Sequence, residues 1–255
     1  MQLSGHSAIV TGGGSGLGEA TARHFADKGM KVAVFDVNME GAERVAKDIG
    51  GVAVHCDVSS ASAAEKAFEE ARTAHGPARV LVNCAGIGPA RAIVSRDGTP
   101  MPLEAYAQVI EVNLIGTFNC LRLAAADMAT LDPLDDDERG VIINTASVAA
   151  YEGQIGQVAY ASSKGGVVGM MLPAARELAR YGVRVLTIAP GFIQTPLMDT
   201  VPEDFQENLK KSQLFPRVRF GKAEEYARLC SSICEITYLN GDVIRLDAGA
   251  RMPPR

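Results

Sequence analysis

The chain has 255 residues, 47% of them hydrophobic, enough to bury one α/β core near the upper limit of single-domain size. A net charge of −5 gives no general attraction to nucleic acid or to an anionic membrane, and no apolar run reaches the length of about 18 that a spanning helix needs. The four histidines, His6, His24, His55 and His75, leave the rest of the chain little material for a Ser–His–Asp set or a His-rich metal site, so no metal is expected.

The first residues, MQLSGHSAIVTGG, hold no basic segment followed by a long apolar one, so no signal or transit peptide is expected. The cysteines, Cys56, Cys84, Cys120, Cys230 and Cys234, are odd in number and lack C-x-x-C spacing. Reduced thiols and a cytoplasmic location fit them best. Short runs rich in Val and Ile then recur at 8–12, 31–36, 52–58, 79–86, 140–147, 183–191 and 242–246. Segments with helical spacing, such as 18–28, 39–48 and 61–75, lie between them. Continuous apolar strands alternating with helices predict an α/β, doubly wound parallel sheet of Rossmann type, covered on both faces. No linker or repeat divides residues 1–255, so one domain is expected, with a substrate loop at about 190–222. The acidic stretch LDPLDDDERG at 131–140 lacks a Gly-hinged ligand pattern and reads as a solvated turn.

The first strand runs into TGGGSGLG at 11–18, where Gly12, Gly16 and Gly18 are spaced G-x-x-x-G-x-G. Glycines there let the backbone turn sharply and approach a pyrophosphate at a helix N-terminus. Asp36 ends the second strand, where a carboxylate can accept hydrogen bonds from an adenosine ribose and would repel a 2′-phosphate. The glycine loop carries no Arg or Lys, so NAD(H) is the expected cofactor. Asp57 can meet the adenine amino group, and Asn83, Cys84, Ala85 and Gly86 end the fourth strand where the backbone can pass close to the cofactor.

Four further residues suggest chemistry: Asn113 in VNLIG, Ser147 in NTAS, and Tyr160 and Lys164 in YASSK. Residues four apart on a helix share a face. A free tyrosine, with a pKa of about 10, becomes a base near neutrality only if that value falls by roughly two to three units. A nearby ammonium and a positive nicotinamide ring can supply this. Tyr160 would then take the proton of a substrate hydroxyl, and Ser147 would hydrogen-bond the developing carbonyl oxygen. Lys164 would hold the nicotinamide ribose, and Asn113 would anchor a water.

In order and spacing these motifs, with APG at 189–191, resemble the short-chain dehydrogenase/reductase family. Cys84 replaces a more common Asn in NCAG. The stretches NTASVAAYEGQIGQVAY, LTIAPG and LNGDVIRLDAGARMP resemble more closely the 3-hydroxyacyl-CoA dehydrogenases of that family. This likeness implies a homotetramer that oxidises a short or branched 3-hydroxyacyl-CoA to the 3-oxoacyl-CoA with NAD. It also implies that Ser15, Leu17, Asp36, Asp57, Val58, Cys84, Tyr160, Lys164, Pro190, Ile193 and Thr195 surround the cofactor, with Gln154 near the substrate. Ile193 stands where such relatives carry Phe. Three rival readings are a 3-oxoacyl-(acyl carrier protein) reductase, a steroid or other secondary-alcohol dehydrogenase, and a non-catalytic NAD-sensing or RNA-processing scaffold. The usual NADP(H) preference of the first is opposed by Asp36, and the complete Asn–Ser–Tyr–Lys set is more than a scaffold needs. In the substrate loop, Leu197, Met198, Leu214 and Phe215 could cover an acyl chain. Lys210, Lys211, Arg217, Arg219 and Lys222 could attract CoA phosphates.

Overall fold

The computed structural model describes residues 1–199, 203–216 and 219–253. Seven strands form: β1 (Ser7–Thr11), β2 (Lys31–Asp36), β3 (Val52–His55), β4 (Val80–Asn83), β5 (Gly140–Thr145), β6 (Val183–Pro190) and β7 (Val243–Leu246). They pair in parallel in the order β3-β2-β1-β4-β5-β6-β7. Parallel strands joined by crossover helices are covered on both faces, which is why β1, β4, β5 and β6 are buried from end to end.

Alternate strand residues feed two separate cores. Val10, Val34, Val82, Ile143 and Ile188 pack with Phe25 of α1 (Gly16–Asp27), Val45 of α2 (Met39–Ile49) and Ile233 of a late helix, Ala223–Glu235. Ile9, Phe35, Leu81, Ile142 and Val185 pack on the other face with Phe68 of α3 (Ala61–His75), and with Cys120 and Met171 from the helices after β4 and β5.

β3 and β4 end well before the apolar runs at 52–58 and 79–86 do, for local polar reasons. β3 stops at His55 because Asp57 Oδ1 accepts from the backbone N–H (3.0 Å) and hydroxyl (2.6 Å) of Ser59, a turn that leads into α3. β4 stops at Asn83 because Cys84 N–H and Ala85 N–H both donate to Thr11 Oγ1, each at 3.1 Å. After β4 the chain forms an unbroken helix of three parts: α4 (Leu103–Ile110), a π turn (Glu111–Ile115) and α5 (Gly116–Ala129). By length and by the hydropathy of its most apolar window this 27-residue helix could cross a membrane, although the sequence holds no continuous apolar run of that length; half of that window is buried inside the fold.

The acidic turn differs from its expected, wholly solvated form. Asp135–Asp137 are exposed, but Glu138 is buried and pairs with Arg184 at 2.7 Å. Arg184 also donates to the carbonyls of Ile233 (2.9 Å) and Leu239 (2.8 Å) around the end of helix Ala223–Glu235. α6 (Ala149–Glu152) and α7 (Val158–Leu178) follow β5. α8 (Pro196–Asp199), α9 (Glu203–Lys211) and α10 (Ala223–Glu235) follow β6. A small satellite core of Phe192, Leu209, Phe220 and Ala250 anchors this last region. β1 and β4, whose crossovers leave in opposite directions, open a crevice at their carboxyl ends.

Candidate active site

The glycine turn lies in that crevice. Gly12 (φ +62°) and Gly16 (φ +53°) have left-handed backbones. A Cβ on Gly12 would stand 2.9 Å from Ala85 Cα, and one on Gly18 would overlap the Gly12 carbonyl oxygen. The turn therefore packs backbone to backbone against the end of β4 and delivers Ser15 as the N-cap of α1. Asp36 is held rigidly beside it: Oδ2 accepts from Gly14 N–H and Oδ1 from Asn38 N–H, both at 2.9 Å. A cation that the sequence reading does not place here also reaches the turn. Arg44 donates to the Gly14 carbonyl at 3.1 Å, but its guanidinium pairs with both oxygens of Glu19 at 2.7 Å.

Two residues expected at the cofactor turn their side chains elsewhere. The Asn83 side chain is buried, donating to Asn144 Oδ1 (3.0 Å) and the Thr117 carbonyl (3.4 Å), so it braces strand ends. Val58 points into the core, where a Cβ on Gly116 would lie 2.5 Å from it, and its carbonyl accepts from Asn119 at 2.9 Å. Cys84 directs its thiol at the hydroxyls of Tyr226 (3.7 Å) and Thr145 (3.8 Å), and burial raises its pKa. Gly86 passes directly over the catalytic residues: a Cβ there would lie 3.2 Å from Asn113 Oδ1 and 3.6 Å from Lys164 Nζ.

Ser147, just past β5, accepts from Ala149 N–H at 3.1 Å, and its side chain holds the Tyr160 phenol down against the effect of burial. Tyr160 and Lys164 stand one turn apart on α7. The Lys164 ammonium donates to the Thr145 carbonyl at 2.7 Å and lies 5.7 Å from the centre of the Tyr160 ring. Burial pushes Lys164 down to about 8. Burial also raises the Tyr160 phenol and outweighs the opposing effect of Ser147. Of the two charges expected to make the phenol more acidic, the Lys164 ammonium does not do so by itself: in a dry pocket desolvation outweighs a cation that is turned toward a carbonyl.

Asn113 is tied into the fold. Its side chain accepts from Ile87 N–H (2.8 Å) and donates to the Ile87 carbonyl (2.8 Å) and Ser163 Oγ (3.0 Å). Both amide hydrogens are used, so Asn113 clamps the loop after β4 and offers no amide hydrogen to a water. The π turn places it there. Thr145 and Tyr226 are unforeseen members of the site. Thr145 Oγ1 donates to the Asn83 carbonyl (2.5 Å) and meets Tyr226 OH at 2.7 Å.

Ser147, Tyr160 and Lys164 line a cavity of about 760 Å³. Leu17, Cys84, Gly86, Pro190, Ile193 and Thr195 border it, as does Gln154, which donates to the Pro253 carbonyl at 3.0 Å. Its apolar part is built from Phe192, Met198, Leu209 and Met252. Of the loop residues expected to cover a substrate, only Met198 can be placed at the cavity. Leu214 and Phe215 are 67% and 82% exposed and do not line it, because their backbone N–H groups are tied to the Ala248 carbonyl instead. The Leu197 side chain and Arg217 lie outside the described residues. Two of the four described cations are paired: Lys210 with Glu207 at 2.6 Å, and Arg219 with Glu225 at 2.8 Å. Lys211 and Lys222 are exposed, and the Lys222 backbone N–H donates to Glu225 at the start of α10.

The family model for short chain dehydrogenases matches residues 6–206. The chain is 46% identical to human (Homo sapiens) 3-hydroxyacyl-CoA dehydrogenase type-2 over 255 residues, covering 99% of this chain and 97% of the relative. A crystal structure of 3-hydroxyacyl-CoA dehydrogenase type-2 from Mycobacterium avium superposes with a TM-score of 0.92 at 40% identity, covering 98% of each chain. A 3-ketoacyl-(acyl-carrier-protein) reductase from Brucella melitensis, complexed with NADH, gives 0.86 at 29% identity, covering 98% of this chain and all of that one.

Proposed function

For a chain that belongs to the short-chain dehydrogenase/reductase family, we propose an NAD-dependent enzyme that interconverts a short or branched 3-hydroxyacyl-CoA and its 3-oxoacyl-CoA. The observation that carries the reading is the convergence of Ser147, Tyr160 and Lys164 on the wall of one cavity that is otherwise mainly apolar. The near full-length likeness to 3-hydroxyacyl-CoA dehydrogenases supports the substrate class.

The residues fit a nicotinamide dinucleotide. The tight packing of Gly12 and Gly18 leaves the N-terminus of α1 open to a pyrophosphate, and Asp36 can receive a ribose. When bound, the cofactor accepts or supplies hydride and, when oxidised, brings a positive charge. The chain does the rest. Tyr160 takes the proton from the substrate hydroxyl as the carbon–hydrogen bond breaks, and Ser147 donates to the oxygen as it becomes a carbonyl. Lys164, aimed by the Thr145 carbonyl, keeps a positive charge beside the phenol below about pH 8. Asp36 and the pairing of Arg44 with Glu19 both oppose a 2′-phosphate, which favours NAD over NADP. Half-exposed Ile115 and Phe118 offer an apolar face consistent with a homotetramer. Free cysteines, four of the five buried, suit a reducing compartment such as the cytoplasm.

The test compares acetoacetyl-CoA with its N-acetylcysteamine thioester, each with NADH and NADPH. The reading expects kcat/KM at least about tenfold higher for the CoA ester and for NADH. Equal values for the two thioesters would leave a general secondary-alcohol dehydrogenase. A clear preference for NADPH and for an acyl carrier protein thioester would leave the 3-oxoacyl reductase.

A further inference from the structure

The apolar part of the cavity is closed by a segment with no part in the chemistry. After β7, residues 247–253 turn back toward the site through two left-handed residues, Ala248 (φ +53°) and Gly249 (φ +70°). A Cβ at Gly249 would stand 2.8 Å from the Leu214 side chain, so glycine is the residue that fits. Met252 then packs into the satellite core with Phe192, Leu209 and Met198, and all four line the cavity.

The segment is fixed from the side of the catalytic serine. Glu152, the last residue of α6, accepts from Met252 N–H through Oε2 at 2.9 Å. Its Oε1 pairs with Arg245 at 3.0 Å and Arg251 at 3.4 Å. Arg245 in turn pairs with Asp247 at 2.7 Å, donates to the Ala250 carbonyl at 3.2 Å and lies 5.3 Å over the Tyr151 ring. Gln154 holds the Pro253 carbonyl. Glu152 and Arg245 are mostly shielded, with 19% and 24% of their side chains exposed. The network is therefore worth more than an isolated surface pair.

We propose that Glu152 and Met252 form a chain-length gauge. Glu152 is a positioning residue that fixes the backbone of the segment, and the Met252 side chain stops the far end of the acyl chain. Methionine by itself is flexible and adapts to many shapes. Clamped at its own N–H, it becomes a wall. The inference rests on the acyl-CoA reading for its substrate but not for its geometry.

The experiment measures kcat/KM for 3-oxoacyl-CoA esters of four to ten carbons. Each methylene that a wall rejects or admits is worth about tenfold or more. Met252→Ala should raise the eight-to-four-carbon ratio at least about tenfold, and Met252→Phe should lower it. Glu152→Ala should raise the ratio in the same direction with NADH affinity unchanged. The double variant Glu152→Ala/Met252→Ala should add little to Met252→Ala, as expected of two residues acting through one wall. Opposite shifts from Met252→Ala and Met252→Phe are not a result that simple loss of stability produces. Ratios within twofold of wild type in folded, NADH-binding variants would overturn the gauge. So would an equal loss at every chain length in Glu152→Ala. If the wild type turns over no CoA thioester, the substrate reading fails, and the same ratios are read on 2-butanol through 2-decanol, where the gauge stands or falls separately.

Discussion

At the scale of single residues, the site keeps a charge where the fold would prefer none. Lys164 is buried and its pKa is pushed down to about 8. Between that value and the ordinary lysine value of about 10.4, the unfolded chain holds a proton that the folded chain lacks, so stability from this group rises with pH across the window. Below about pH 8 the full cost of the buried ammonium is present, about 3 kcal/mol. Lys164→Met should therefore raise Tm, relative to wild type, more at pH 7 than at pH 10, while activity is lost. Tm differences that are equal at the two pH values would show that the ammonium is not strained. Tyr160 makes the complementary case. Its burial-raised phenol implies that alcohol oxidation gains rate with rising pH and ketone reduction loses it. Tyr160→Phe keeps the ring and should lower kcat by at least about 10²-fold, with NADH affinity measured by fluorescence unchanged. A variant with near-normal kcat would remove Tyr160 from the role of base.

At the scale of elements, what could be read from sequence depended on whether the information was local. β2 and α3 were readable to the residue, because strand and helix periods, and the caps at Ser60 and Gly76, lie within a few positions. The ends of β3 and β4 were not, since the polar contacts of Asp57 and Thr11 cut short apolar runs that continue in the sequence. The catalytic tetrad and the glycine turn were legible as spaced motifs. Thr145 and Tyr226 were not, because their hydroxyls meet across 81 positions of chain. The partners of the basic loop are not legible either, because a count of cations does not show that Glu207 and Glu225 answer Lys210 and Arg219. Asn113 shows how a motif residue can carry a packing task that its spacing does not reveal. As a clamp on Ile87 it should cost stability when cut: Asn113→Ala leaves a backbone N–H and a carbonyl unpaired in a mostly buried place, about 2 kcal/mol or more. Urea denaturation should show that loss together with faster exchange of the Ile87 amide. A fall in kcat without either change would restore the water-anchor role.

At the scale of the whole molecule, the two cores explain how the sheet is covered but leave one helix incompletely used. The helix from Leu103 to Ala129 buries half of its most apolar window in this chain, while Leu103, Ile115 and Phe118 are exposed. Ile115 and Phe118 are three positions apart on it, hence neighbours on one face, and both are about half exposed. Large apolar side chains grouped in this way favour association, and covering each fully is worth roughly 1.5–3 kcal/mol. In a symmetric assembly the same face meets itself, so a single substitution is felt twice. Phe118→Glu would place two like charges at such a contact and forfeit the apolar gain, while disturbing little inside a chain where residue 118 is already half in water. Sedimentation velocity at micromolar concentration should find the wild type as a tetramer and Phe118→Glu as a smaller species with unchanged far-UV circular dichroism. If the two sediment alike, the tetramer is built on another face; if the wild type sediments as a monomer, the tetramer itself is withdrawn and the apolar face of this helix is open to solvent.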